Sequence, residues 1–262
     1  MLTVQLRWIF LSCLTLATTA WADDPPPTVH GETRPSELVW SLGLRLNMDD
    51  LNRPGQLGLR PMIGVRYGRW RTGAVDGESW HRFGQVKTDN TLTYDWLDSV
   101  NWRTSLSASI VNMQRDATFD AVQSGRKTVR GRATIDYLGW SHWSTGLIIT
   151  QDLLNRGAGT GLSPTITYRQ ALSPDSTILL SQSLNWLRSD QWRYLHPEID
   201  RSQPSRWGTS MDTSITLRQR WQPHWSWFAQ LNRNHVLRAG DPSVQPGQTT
   251  WSGQIGMIHF QR

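Results

Sequence analysis

The sequence predicts an all-β chain, specifically a transmembrane antiparallel up-and-down β-barrel of about 10–12 strands, with about 12 as the best estimate. Three observations predict this fold. The chain begins with a segment that has the features of an export signal. Apolar and polar residues then alternate with a period of two in one segment after another. The chain also has 16 tryptophans, a residue that is enriched at membrane–water interfaces.

The N-terminal segment predicts a signal peptide over residues 1–22. Arg7 is the only charged side chain before Asp23, a mostly apolar run follows Arg7, and Ala20-Trp21-Ala22 is a small-x-small cleavage signature. The apolar run is too short to cross a bilayer comfortably as a helix. Lipidation at Cys13 is disfavoured because this residue lies in the middle of the apolar run. Cleavage after Ala22 would remove the only cysteine, so the mature chain must be stable without disulfides.

After the signal, residues 23–36 form a Pro-rich leader that is predicted to be extended and mobile, and residues 37–262 form the barrel domain. Strict alternation over long windows indicates strands rather than helices. The alternating segments lie around Leu38–Leu46, Leu59–Tyr67, Leu92–Trp96, Trp102–Ile110, Val129–Tyr137, Met211–Trp221 and Trp225–Leu231. Weaker strands are predicted at Trp143–Asp152, Leu162–Leu172 and Ile178–Arg188, and the segments Ser79–Val86 and Trp251–Phe260 leave open which face is apolar.

The connections and the polar faces favour a membrane barrel over a soluble β-sandwich or lipocalin-like barrel. Pro174-Asp175 and Pro223-His224 mark very short turns, whereas residues 112–127, 193–208 and 238–250 make long polar connections. Short turns at one end and longer loops at the other are typical of outer-membrane barrels. The polar faces are rich in Ser, Thr, Asn and Arg but poor in the Lys and Glu that dominate soluble surfaces.

Arginine is the most informative residue on the polar faces, because it is very costly on the lipid side of a barrel. The polar faces are therefore predicted to line the lumen. Two interpretations remain open: an internal ion-pair network that fills a narrow lumen, or a constriction that selects anionic solutes. The predicted lumen-facing residues are Arg60, Arg66, Arg103, Arg130, Arg132, Arg218 and Arg220, with Asp95, Asp136 and Asp212 on the same faces.

No catalytic, cofactor-binding or metal-binding residue is predicted. The seven histidines are scattered, no phosphate-binding loop is present, and no G-x-S-x-G elbow is present. Any catalysis at the barrel rim would have to use His81, His196 or His235 with a nearby acid. The chain is basic, with a formal net charge of +6, but its arginines are dispersed, which is not the clustered pattern of nucleic-acid binding.

The chain resembles the MipA/OmpV family of outer-membrane proteins over most of its mature length. The resemblance lies in Pro61–Gly68, in Tyr194 and Ser202–Gly208 before the strand Thr213–Trp221, in His224-Trp225, and in Ala239–Val244 before a closing strand. One departure is that Gln261-Arg262 follows Phe260, where such barrels usually end on the aromatic residue.

The resemblance implies an outer-membrane location, with membrane lipids and lipopolysaccharide as neighbours. It also implies a scaffold that binds a murein lytic transglycosylase and a peptidoglycan synthase of the penicillin-binding class. Other members of the family are described as porin-like or adhesive. The expected function is therefore such a scaffold. A small porin-like channel with an Arg-lined lumen is the alternative, and an outer-membrane enzyme is a weaker one.

Overall fold

The computed structural model describes residues 38–48, 51, 57–73, 91–99, 101–112, 127–156, 159–188, 207–238 and 246–261. Within these residues the chain forms a closed antiparallel barrel of twelve strands, which confirms the predicted fold class. The predicted signal peptide and leader lie outside the described residues. The strands are β1 (Leu38–Met48), β2 (Leu57–Tyr67), β3 (Trp70–Thr72), β4 (Leu92–Asp98), β5 (Trp102–Asn112), β6 (Lys127–Tyr137), β7 (Trp143–Asp152), β8 (Thr160–Ser173), β9 (Ser176–Arg188), β10 (Trp207–Gln222), β11 (Trp225–Arg238) and β12 (Thr249–Phe260).

The barrel closes where the last strand pairs with the first. β12 runs antiparallel to β1, with Ser41 opposite Phe260 and Met48 opposite Gly253. Every other strand pairs with its neighbours in sequence. Closure removes the free edges of the sheet, so most backbone N–H and C=O groups of the strands are paired within it, as a hydrocarbon environment requires. An exception in the described residues is the side of β2 that faces the short β3, where only residues 65–67 are paired.

The two faces of the sheet are buried in the opposite sense to those of a soluble protein. On β1, Leu42 and Leu44 are 50% and 56% exposed, whereas Ser41 and Arg45 are 0% and 9% exposed. A water-soluble barrel would bury its apolar side chains inside and expose its polar ones. The outward apolar band is suited to lipid and the inward face is polar, as in barrels that span outer membranes. In the part of the chain that the structure describes, no helix is long and apolar enough to cross a membrane.

The two ends of the barrel differ in their connections. At one end lie tight turns, including Ser173–Ser176 between β8 and β9 and Gln222–Trp225 between β10 and β11, together with the start of β1 and the end of β12. We call this the short-turn end. At the opposite end, the loop end, lie the long connections, most of whose residues are outside the described ranges. This asymmetry between short turns and long loops was predicted from the sequence.

Aromatic side chains form a girdle on the outer surface at the short-turn end. Rings on neighbouring strands, and one ring in the turn after β6, pack with centroids 4.8–5.1 Å apart. Such a girdle places amphipathic rings at the level of the lipid headgroups. At the loop end, Trp186, Trp207 and Trp251 are outward-facing and partly exposed. The pairs at the short-turn end are Trp70–Tyr94, Trp102–Tyr137, Tyr137–Trp140, Trp143–Tyr168 and Trp225–His259.

Two features of the barrel were not predicted. β3 has only three residues, too few for an alternation to be recognised. β12 carries apolar residues on both faces: Ile255 and Met257 are exposed, whereas Ile258 and Phe260 are buried inside the barrel. This explains why the sequence left the apolar face of this segment open. The segment 79–86, considered as a further strand, lies outside the described residues.

Candidate functional site

The lumen has one wall that is rich in arginine. Its guanidinium groups come from β1, β2, β3, β5 and β6, which are adjacent in the barrel apart from the intervening β4. We call these residues the arginine wall: Arg45, Arg60, Arg66, Arg71, Arg103, Arg130 and Arg132. Because lumen and lipid positions alternate along each strand, all these side chains lie on the same face of the sheet, the face that lines the lumen.

One carboxylate, that of Asp95, contacts three arginines of this wall. Asp95 on β4 accepts hydrogen bonds from Nη2 of Arg66 at 2.7 Å, from Nε of Arg71 at 3.0 Å and from Nη2 of Arg103 at 3.2 Å. Asp95, Arg66 and Arg103 are each no more than 6% exposed. In this group of four side chains three guanidinium groups share one carboxylate. Asp98 and Asp136, which both lie opposite Arg103 in the register, bring further negative charge close to the group.

The sheet register explains how the cluster forms. The tight turn after β2 places Arg66 directly opposite Arg71, and Asp95 lies opposite Ser105 on β5, one pleat from Arg103. Gly68, with φ of +57°, occupies this turn in a conformation that favours glycine. Two like charges opposite one another are destabilising unless a counter-charge lies between them, and Asp95 supplies it.

Other carboxylates on the lumen side are paired locally. Arg103 lies directly opposite Asp136 on β6. Gly146 on β7 leaves the space that Asp136 occupies, because a Cβ atom there would collide with the Asp136 carboxylate. At the loop end, Asp152 accepts hydrogen bonds from the hydroxyl of Thr128 and from the backbone N–H groups of Leu154 and Arg156. Asp152 therefore closes the turn after β7.

The opposite side of the lumen is lined mostly by neutral polar side chains. Thr165 and Thr167 on β8 bond to Ser183 and Ser181 on β9 at 2.8 and 2.9 Å. Further along the lumen, the carboxylate of Asp212 on β10 accepts hydrogen bonds from side-chain amides on β9 and β11. A further hydrogen bond between side-chain amides links β11 to β12. We call this side of the lumen the amide–hydroxyl wall. Its further members are Asn185, Gln230, Asn232, Asn234 and Gln254.

An apolar cluster lies inside the barrel towards the short-turn end. It consists of Met62, Phe228, Ile258 and Phe260, all at most 4% exposed. The ring of Phe228 lies over Gly256, where a Cβ atom would be 2.7 Å from its Cε1. Arg218 lies opposite Phe228 in the register and is fully buried. This part of the lumen is consequently filled by side chains from β2, β10, β11 and β12.

The sequence-predicted lumen residues occupy different parts of the barrel. Arg60, Arg66, Arg103, Arg130, Arg132 and Asp136 lie on the arginine wall or beside it, and Asp212 lies on the amide–hydroxyl wall. Arg218 is buried by the apolar cluster, whereas Arg220 is exposed next to the β10–β11 turn. Arg220 is therefore a rim residue, because the barrel interior ends before its position.

Two arginines of the wall were not among the sequence-predicted candidates. Arg45 bonds through Nη1 to Oε1 of Gln254 at 3.2 Å, and its alternation with Leu44 and Leu46 could have identified it. Arg71 lies on the short strand β3, where alternation gives no signal. Its spacing from Arg69 across the intervening Trp70 is the one available indication.

The histidines considered for catalysis give no catalytic geometry in the described part of the chain. His235 lies on the outward face of β11 and contacts the hydroxyl of Thr249 at 2.7 Å. His81 and His196 lie outside the described residues. Within the described ranges no group of three His, Cys, Asp or Glu side chains could hold a metal ion.

No known protein family and no curated protein matches this chain. Among solved structures, it is similar to the NanC porin (TM-score 0.41, 11% identity, covering 86% of this chain and 99% of that one). It is also similar to a bacterial polysaccharide outer-membrane secretin (TM-score 0.44, 12% identity, 87% and 99%). A third is a loop-deletion mutant of OmpT, an outer-membrane protein of Vibrio cholerae (TM-score 0.39, 7% identity, 86% and 98%).

The geometry of the barrel itself, rather than these similarities, identifies the class of protein. The apolar outer band, the aromatic girdle and the closed sheet make the chain a transmembrane β-barrel of the outer-membrane type. The resemblance to the MipA/OmpV family stays a prediction. The same holds for the murein-enzyme scaffold and the lipopolysaccharide contacts that it implies.

Proposed function

We propose that this protein is a small porin-like channel of the outer membrane whose lumen favours anions. The observation that carries the proposal is the arginine wall, in which seven arginines face the lumen and four described carboxylates lie beside them. A ring or wall of arginine selects anions because it lowers their electrostatic energy inside a narrow, low-dielectric passage. The proposal includes export through residues 1–22 with cleavage after Ala22.

The distribution of charge supports an anion pathway over a purely structural ion-pair network. A network that only fills space would be expected to match each guanidinium with a carboxylate. In the described lumen, the carboxylates near the arginine wall are Asp95, Asp98, Asp136 and Asp152, fewer than its seven arginines. Asp212 lies across the barrel against neutral amides. Most of the described lumen arginines therefore lie on one side of the barrel.

The orientation follows from the connections. Short turns face the periplasm and long loops face outwards in outer-membrane barrels. The Asp95 cluster lies on strands that meet near the short-turn end, since Arg66 and Arg71 flank the β2–β3 turn. An anion that enters from the loop end would thus meet Arg60 and Arg130 before it reaches the Asp95 cluster in the periplasmic half of the lumen.

Reversal potentials in planar bilayers test the proposal. Under a KCl gradient, the purified protein is expected to conduct with chloride more permeant than potassium. Replacing Arg60 and Arg130 together by glutamine should lower the chloride-to-potassium permeability ratio about twofold or more, because two lumen charges are lost. Arg188→Gln is the control, because Arg188 is exposed at the end of β9 beside Trp207 on the outward face. No conductance, or a cation preference, would contradict the proposal.

A further inference from the structure

A small cavity lies against the arginine wall, next to the Asp95 cluster. Its volume is about 30 Å³, and it is lined by Arg71 on β3, Arg132 on β6, and serine and threonine hydroxyls. Such a volume holds about two water-sized groups. The hydroxyl residues that line it are Thr91, Thr93, Ser105, Ser107 and Thr134.

We propose that this cavity binds the carboxylate group of a hydroxylated anionic solute in the lumen. The inference rests on the proposed channel function and names the solute class that the channel would favour. Two oxygen atoms match the size of the cavity, two guanidinium groups supply the charge, and the surrounding hydroxyls supply hydrogen bonds to neighbouring OH groups of the solute.

The charge of the lining supports an anion. Both charged lining residues are arginines, and no carboxylate is among the described residues that line the cavity. Asp95 does not line it, although it accepts a hydrogen bond from Nε of Arg71. This bond fixes the guanidinium of Arg71 before a solute arrives, so less conformational entropy is lost on binding.

The hydroxyls are held in place by the sheet. Ser105 and Thr134 bond to each other across β5 and β6, and Ser107 donates to the carbonyl oxygen of Arg132 at 3.5 Å. Thr93 donates to the carbonyl oxygen of Thr91 at 3.4 Å. Gly73, with φ of +65°, closes the cavity edge where β3 ends, and a side chain there would collide with the backbone of Ile63. The cavity is thus preorganised by rigid strands.

Calorimetric titration of the detergent-solubilised barrel with sodium gluconate tests the inference. Gluconate carries one carboxylate and several hydroxyls; acetate has the carboxylate alone, and sorbitol has hydroxyls alone. We expect gluconate to bind most tightly, acetate more weakly and sorbitol not measurably. Arg132→Gln should weaken gluconate binding about tenfold or more, because one of the two cavity charges is removed.

The matched control is Arg130→Gln. Arg130 lies on the same strand and the same face, one pleat from Arg132, but does not line the cavity. This variant should change gluconate affinity much less than Arg132→Gln. Equal effects of the two variants, or gluconate binding no tighter than sorbitol, would overturn the inference. Because the channel proposal is measured by reversal potential, an anion-selective barrel without gluconate binding would remove only the cavity assignment.

Discussion

Replacing Asp95 by asparagine is expected to lower the free energy of unfolding of the barrel by about 3 kcal/mol. The substitution preserves shape but removes the charge that three guanidinium groups share, and Asp95 is only 5% exposed. Breaking a buried ion pair by removing one partner costs about 3–5 kcal/mol, because uncompensated charge is left behind. Denaturant unfolding of the barrel in lipid vesicles, followed by tryptophan fluorescence, measures the loss.

Asp212→Asn is the matched control for this prediction. Asp212 also lies in the lumen, but it accepts hydrogen bonds from the amides of Asn185 and Asn234. The same substitution there should cost about 1 kcal/mol, the order of one ordinary hydrogen bond. Similar losses for the two variants would show that Asp95 is not the counter-charge of the arginine wall. If the wall governs permeation, Asp95→Asn should also raise the chloride preference in bilayers.

Placing an arginine at Leu44 is expected to cost about 2–4 kcal/mol of barrel stability. Leu44 lies within β1 on the outward face and is 56% exposed, so its environment in the membrane is hydrocarbon. Charged residues on the lipid face are destabilising in a depth-dependent manner, and the cost is largest at the bilayer midplane. Reversible folding into vesicles measures the difference from the wild type.

Leu57→Arg gives the comparison that separates a membrane barrel from a soluble one. Leu57 is on the same outward face, but it is the first residue of β2 and lies at the loop end of the barrel. Near the interface the cost of arginine falls to about 0–1 kcal/mol. A soluble barrel would tolerate both substitutions equally, because an exposed leucine in water loses little when it becomes arginine. Equal effects at the two positions would therefore argue against the membrane assignment.

The strands of this barrel could be predicted because most of them alternate strictly. In β6 every second side chain from Thr128 to Asp136 is polar, and the cost of arginine in lipid assigns that face to the lumen. β7, predicted as Trp143–Asp152, has those bounds in the structure. The count of twelve strands also agrees with the prediction, although β3 was not among the predicted segments and the predicted segment 79–86 lies outside the described residues.

The candidate site could be predicted only in part, for physical reasons that are specific to its residues. Alternation places Arg66 and Arg103 on one face, but it does not reveal that both reach the same carboxylate, because this depends on the register of β2 to β5. Arg71 gave no signal, since a strand of three residues has no measurable period.

The alternation of polar and apolar residues also did not predict which apolar side chains face inwards. Phe228 lies on the polar face of β11, between Ser226 and Gln230, and packs with Phe260 inside the barrel. A lumen that is partly filled by its own side chains breaks the rule that polar residues face inwards. The sequence shows such a residue only as an interruption of the pattern, without showing which side chains it contacts.

The central claim, an aqueous and anion-favouring lumen inside an apolar outer band, is tested most directly by cysteine labelling at two adjacent positions. Leu106 and Ser107 follow one another on β5, with Ser107 facing the lumen opposite Arg132 and Leu106 exposed on the outer face. In a Cys13→Ser background reconstituted into vesicles, each is replaced by cysteine. The variants are then treated with charged methanethiosulfonates of either sign, which react with the thiolate. We predict that Ser107→Cys reacts, faster with the anionic reagent, and that Leu106→Cys is protected by lipid. Labelling of Leu106→Cys alone, or faster labelling of Ser107→Cys by the cationic reagent, would contradict the claim.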